Sequence, residues 1–139
     1  MALTGCVSVP GIQDRYVVCS YDQAWEAALE AMKDRALTVR DKEKGLIETG
    51  WLEVPVDPRF YGAFHREIKD SRDRSKLVLT LKQIQDVTQV SLTEDRERWA
   101  WRGGSRMFGW TPADPSEEAI NSTMNRVQAK LKERGCSRT

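Results

Sequence analysis

Two periodicities alternate along the chain. Ala24, Trp25, Ala28, Leu29 and Met32 recur at helical spacing, while Asp22, Glu26, Glu30 and Asp34 fall mainly on the other side, which predicts an amphipathic helix with a core-facing stripe. Ser20 ahead of it and Gln23 three residues on fit a capping box, each side chain satisfying an orphan backbone N–H. Tyr16 to Cys19 forms a short β-prone run before that cap. Beyond the helix, Leu37 to Arg40 reads as a strand, Asp41 to Gly45 as a turn and Leu46 to Val54 as the hairpin partner. In that partner Ile47, Thr49 and Trp51 are expected on one face and Glu48 on the other, with Pro55 and Pro58 ending it. From Lys76 to Lys82 the alternation is clear: Leu77, Leu79 and Leu81 point inward, and after a tight connection at Gln85-Asp86 the facing strand answers with Thr88, Val90 and Leu92. A last short strand is expected to hold Trp99 and Trp101 on one side and Arg98 and Arg102 on the other.

The C-terminal segment is the best-marked helix. Asp114 is placed as its cap, Pro115 at the first helical position and Glu117 as the completion of the box, with Ile120, Met124, Val127 and Leu131 as the buried stripe and Gly135 as the stop. Lys130, Lys132 and Arg134 crowd the last turn, where they complement the helix dipole. Taken in order, strand, helix, two strands, a long loop, two or three strands and a long helix imply an α+β domain. Its two layers are an antiparallel sheet and two helices packed on one face of it. The expected division is 1–14 as a flexible tether, 15–135 as the single domain and 136–139 as a tail. A length of 139 residues suits one such domain.

Charge and hydropathy narrow the function. Twenty-two Lys and Arg against twenty-one Asp and Glu leave a formal charge of +1, without the basic field that collects phosphates, so nucleic acid is not the expected partner. Mean hydropathy is −0.59, and no run of eighteen apolar residues suggests a membrane-spanning helix.

Leu3-Thr4-Gly5-Cys6 resembles the lipobox that ends a bacterial lipoprotein signal peptide. The small Gly admits the peptidase, and the Cys6 thiol takes a diacylglycerol through a thioether. A further chain such as palmitate then makes the anchor stable. Only Met1 and Ala2 precede the box, so the charged and apolar parts of a signal are expected upstream of the sequence as given. The expectation is a lipid-anchored protein on the periplasmic side of the bacterial outer membrane.

Tyr21 to Leu29, then Leu37 to Val39, then Lys44-Gly45-Leu46-Ile47-Glu48-Thr49-Gly50-Trp51 are similar to the repeated domain of the NlpB/DapX (BamC) lipoproteins, accessory components of outer-membrane protein assembly. In those domains a helix leads to a strand, an acidic turn ending in Gly, and a strand reading roughly Ile-x-Thr-x-Trp. The resemblance is specific over Tyr21 to Trp51 and continues to Thr93 as strand pattern. It implies a helix-grip-like fold, a lipid anchor and protein binding without catalysis. The sequence holds one such domain where those proteins have two, and has no counterpart of their long N-terminal segment, so their partner does not carry over with the fold.

A search for chemistry is mostly negative. His65 is the sole histidine, which excludes a site built on two histidines of one chain. His65 with Ser71 or Ser75 and Asp70 or Asp73 has no nucleophile-elbow motif. Gly103-Gly104 between Arg102 and Arg106 lacks the P-loop pattern. No enzyme activity, cofactor or metal is called for. Candidate partner-binding residues are Phe60, Tyr61 and Phe64, on a long loop expected from Val56 to Lys76, and Trp110, in a cluster with Trp99, Trp101 and Phe108 where aromatics alternate with arginines. The partner expected is another envelope protein, and the alternative is a helix-grip carrier holding a small apolar ligand between sheet and C-terminal helix.

With Cys6 lipidated, Cys19 and Cys136 remain. Antiparallel helices on one sheet face would bring the start of the first near the end of the last, and a bridge with them. The other outcome is a buried strand Cys19 and a Cys136 free in the tail.

Overall fold

The computed structural model describes residues 11–55, 60–61, 66–67, 72–101 and 108–138. In chain order the elements are β1 (Ile12–Val18), α1 (Tyr21–Met32), β2 (Leu37–Asp41), β3 (Leu46–Thr49), β4 (Leu52–Pro55), β5 (Phe60–Tyr61), β6 (Arg66–Glu67), β7 (Arg72–Ile84), β8 (Val87–Trp101), β9 (Phe108–Ala113), α2 (Glu117–Glu133) and β10 (Ser137–Arg138). The architecture is α+β, with an eight-stranded open antiparallel sheet and two helices.

The long hairpin of β7 and β8 is the spine. Its two-residue turn sets Ile84 opposite Val87, with Gln85 at a φ of 56°, the positive φ that tight hairpin turns require. The sheet forks around this spine. Along one stretch β8 pairs with β1 and β7 with β3; further from the turn β8 pairs with β9 and β7 with β4. β2 and β10 close the two edges, and β5 pairs with β6 apart from the main sheet.

Leu77, Leu79, Leu81, Val90 and Leu92 point to one face, each no more than 4% exposed, and share a core with Ala24, Trp25, Ala28 and Met32 of α1 and Ile120, Met124, Val127 and Leu131 of α2. This is the stripe-on-alternation pattern expected of the sequence. Burying one such Leu or Met is worth about 1.5–3 kcal/mol. Ala27 and Ala31 are buried too, because α1 packs against α2 as well as β7; four small residues let it approach both. Glu30–Lys130 (3.3 Å), and Asp34–Arg126 (2.8 Å) just past the end of α1, pair rising positions of the first segment with falling positions of α2, so the helices run antiparallel.

Several boundaries differ from expectation. The ordered strand reaches back to Ile12, where the tether was placed, because β8 offers partners as far as Thr93 and the Gly11 N–H donates to Glu117 Oε1 (2.9 Å). The residues 136–139 expected as a tail include a paired strand: β10 lies beside Val17 and Val18. Arg72 to Ser75, expected in a loop, belong to β7, and Trp99 continues β8 rather than opening a new strand. The cap of α2 is Ser116, whose hydroxyl accepts from the Ala119 N–H (3.2 Å), two residues after Asp114.

The strand expected over Leu46 to Val54 is broken. Glu48 pairs with Val78, yet Leu52 pairs with Ser75, so one extra residue is inserted at Gly50-Trp51. A bulge of this kind flips every later side chain to the opposite face. Ile47 and Thr49 are fully buried as expected, whereas Trp51 is 44% exposed on the face away from the helices.

Candidate functional site

That outer face carries a ladder of tryptophan and arginine. β7 places Arg72, Arg74 and Lys76 on it, β8 places Glu97 and Trp99, β9 places Trp110, and the bulge adds Trp51. The Arg74 guanidinium carbon lies 4.4 Å from the ring centroid of Trp51 and 4.4 Å from that of Trp110. Its Nε donates to Glu97 Oε1 at 2.7 Å, and its Nη2 closes an ion pair with the same oxygen. Arg72 lies over Trp99 (5.3 Å) and Trp110 (5.7 Å), and Lys76 over Trp51 (5.9 Å). Trp99 and Trp110 sit directly opposite in register and meet edge to face, with centroids 5.4 Å apart and planes at 71°. Cation–π and edge-to-face contacts are each worth about 0.5–1.5 kcal/mol, which holds these long side chains in one geometry.

Beside the ladder, on its edge away from β7, β8 has no strand partner among the described residues at Glu94 and Asp95, where β1 ends and β9 has not begun. A groove of about 450 Å³ opens there, walled by Trp51 on one side and Pro112, Ala113 and Pro115 on the other, with Asp95 and Glu97 between them.

A buried polar network on the inner face of the same strands fixes this region. Asp73 Oδ1 accepts from Arg98 Nε and Oδ2 from Arg96 Nε, both at 2.7 Å. Glu94 Oε2 accepts from the Ser75 hydroxyl (2.6 Å) and Arg96 Nη1 (3.1 Å), and Oε1 from the Ser116 N–H (2.7 Å). Arg35 Nη1 adds a bond to the Ser75 hydroxyl (3.2 Å). Burial pushes the Asp73 carboxyl up, but the hydrogen bonds and charges of Arg98 and Arg96 outweigh it and hold Asp73 below the usual carboxylate range. Both oxygens of Glu94 are engaged, which makes it an anchor joining β8 to the start of α2.

Of the residues singled out from sequence, Trp110 enters the ladder, half-buried between Arg74 and Trp99. Cys19 and Cys136 are bonded to each other. Cys6, Phe64, His65 and Gly103-Gly104 lie outside the described residues, and of Phe60 and Tyr61 the backbone alone is described, pairing with Glu67 and Arg66 in β5–β6. The basic end of α2 is occupied in part by ion pairs, Lys130 and Arg134 both reaching Glu30 (3.3 and 3.2 Å). Trp51 and Arg74 were missed as site residues. Arg74 is four places after Asp70 in a charged run that reads as a loop, and Trp51 fits a continuous strand on the core face; only the bulge reverses it.

No protein-family model matches the chain, and no curated protein matches it. Among solved structures it is similar to a DUF4468 family protein from Bacteroides ovatus ATCC 8483, with a TM-score of 0.42, 12% identity and coverage of 94% of this chain and 87% of that one.

Proposed function

We propose that the chain is a protein-binding module, anchored through a lipid on Cys6 to the periplasmic side of the bacterial outer membrane, whose contact surface is the Trp51–Arg74–Trp110 ladder. The observation that carries this reading is an exposed tryptophan, Trp51, held on a sheet face by the stacked Arg74, which also lies over Trp110. Tryptophan and arginine are the residues that dominate interface energies, and here cross-strand stacking and the buried Asp73–Arg96–Glu94 network hold them in place before any partner arrives. Three things support the location: the lipobox-like Leu3-Thr4-Gly5-Cys6, the resemblance to NlpB/DapX domains over Tyr21 to Trp51, and the Cys19–Cys136 disulfide, a bond that persists in oxidising compartments. The long C-terminal helix against an antiparallel sheet favours the helix-grip description of the fold, and an accessory part in outer-membrane protein assembly is the role that follows from the resemblance.

The test is photo-crosslinking in cells producing the full-length precursor. A photoreactive residue at position 51 is expected to give a discrete adduct with an envelope protein, and one at exposed Ala129 on α2 none. Adducts at neither position, or equally at both, would remove the ladder as the contact surface. Cys6→Ser should move the protein from the membrane fraction to the soluble one; a wild-type precursor that is already soluble refutes the anchor.

A further inference from the structure

A second candidate site stands at the opposite end of β8 from the ladder, where Val17 of β1 pairs with Thr88. Between the last turns of α2 and the strands β1 and β10 lies a half-open cleft of about 460 Å³, within the roughly 300–1,000 Å³ of small-molecule sites. Its floor is apolar: Val17, Leu131 and Cys136 line it and are each buried. Its rim is cationic. Lys132 and Arg138 are exposed, line the cleft, and form no ion pair with any described residue, and none of the lining residues is acidic.

One further feature suits an occupant. Gly135 takes a φ of 81°, and a Cβ on it would meet nothing within 4 Å, so the cleft is open on that side. The carbonyl end of α2 carries about half a negative charge, which opposes an anion. Against it stand two full positive charges, and the Gly135 and Cys136 N–H groups already occupy the Lys132 and Leu131 carbonyls (3.1 and 2.9 Å).

From the apolar floor and the acid-free cationic rim we infer that this cleft binds an anionic amphiphile, a single apolar chain ending in a carboxylate, taken up as a free monomer. A purely apolar molecule leaves the cations unused, and a simple anion leaves the floor unused. The inference is independent of the protein-contact reading, because it uses no residue of the ladder.

The probe is sodium dodecanoate below its micelle threshold, added to the isotope-labelled protein with its disulfide intact and followed by amide NMR shifts and calorimetry. Saturable shifts are expected at Val17, Gln128, Lys132 and Gly135 to Arg138, with none of comparable size from dodecyltrimethylammonium. Lys132→Glu with Arg138→Glu is expected to weaken dodecanoate about tenfold or more; both positions are exposed, so an unchanged melting curve verifies that the variant is folded. Absence of saturable shifts, equal binding of the ammonium compound, unchanged affinity in the double variant, or binding only to phosphatidylglycerol vesicles would each overturn the proposal.

Discussion

Cys136, directly after the glycine that ends α2, lies with its Cα 4.9 Å from that of Cys19, directly before the cap of α1, and the two are joined although 117 positions separate them. The antiparallel helices bring these ends together, and the β1–β10 pairing fixes the approach from the other side. Closing so long a loop removes unfolded-state entropy worth about 4–5 kcal/mol in the chain-entropy model. Protein purified under oxidising conditions with Cys6 replaced is expected to show no reactive thiol when unfolded without reductant. Reductant should lower its denaturation midpoint substantially. Two reactive thiols per chain would contradict the bridge.

Gly45 is the least replaceable residue of the β2–β3 turn. It takes a φ of 67°, and a Cβ there would lie 2.0 Å from the Leu81 carbonyl oxygen and 2.9 Å from the Tyr21 hydroxyl. The turn is drawn this close because the Leu81 N–H donates to the Gly45 carbonyl (2.7 Å) and the Tyr21 hydroxyl to the Lys42 carbonyl (2.6 Å). Gly45→Ala therefore meets both backbone strain and a clash, and should cost at least about 2 kcal/mol. Gly50→Ala, whose new Cβ would find only Thr38 Cγ2 at 3.4 Å, should cost clearly less. Similar denaturation midpoints for the two variants would refute this account of the turn.

The buried network predicts acid sensitivity. Asp73 has a folded-state affinity for protons below that of the unfolded chain, so its stabilisation is complete above the unfolded value near 3.9 and is lost as pH falls through the lower folded value. Urea midpoints of the wild type should fall as pH drops below about 4, and Asp73→Asn should be less stable at pH 7 but show a shallower fall. Glu94→Ala removes the acceptor for Ser75, Arg96 and the Ser116 N–H together and should cost about 3 kcal/mol. Parallel pH profiles for wild type and Asp73→Asn would show that the pairing with Arg96 and Arg98 does not govern acid stability.

Most of this core was legible in the sequence, and part of the site was legible without being read. The Leu77-Leu79-Leu81 and Thr88-Val90-Leu92 alternation and the Gln85-Asp86 turn fix a register that, continued outward, sets Asp73 opposite Arg98, Ser75 opposite Arg96 and Leu77 opposite Glu94. Alternate polar residues of matching charge on a core-facing parity are the mark of a buried network. A run so rich in charge reads as a loop by composition, because charge alone says nothing of parity. The Ser20–Gln23 box was plain, since a cap depends on neighbours in sequence. The cap of α2 was misplaced because Ser116 is selected from a distance, by Glu94. The bulge at Gly50 has no local signature beyond the glycine, and with it went the orientation of Trp51.

That bulge can be tested through the side chains around it. A continuous strand would put Ile47, Thr49 and Trp51 on the core face together, and truncating any of them would then cost several kcal/mol. With one residue inserted, Thr49 remains inside, its Oγ1 accepting from the Leu77 N–H (2.9 Å) and donating to the Gly50 carbonyl (3.0 Å), while Trp51 stands outside on Arg74. Thr49→Val keeps the volume but orphans the buried Leu77 donor, and should cost about 1–3 kcal/mol. Trp51→Ser loses two exposed cation–π contacts, with Arg74 and with the more distant Lys76, and should cost about 1 kcal/mol. If Trp51→Ser proves the more damaging of the two in urea denaturation, the ring belongs to the core after all, and the outer-face ladder loses its most exposed ring.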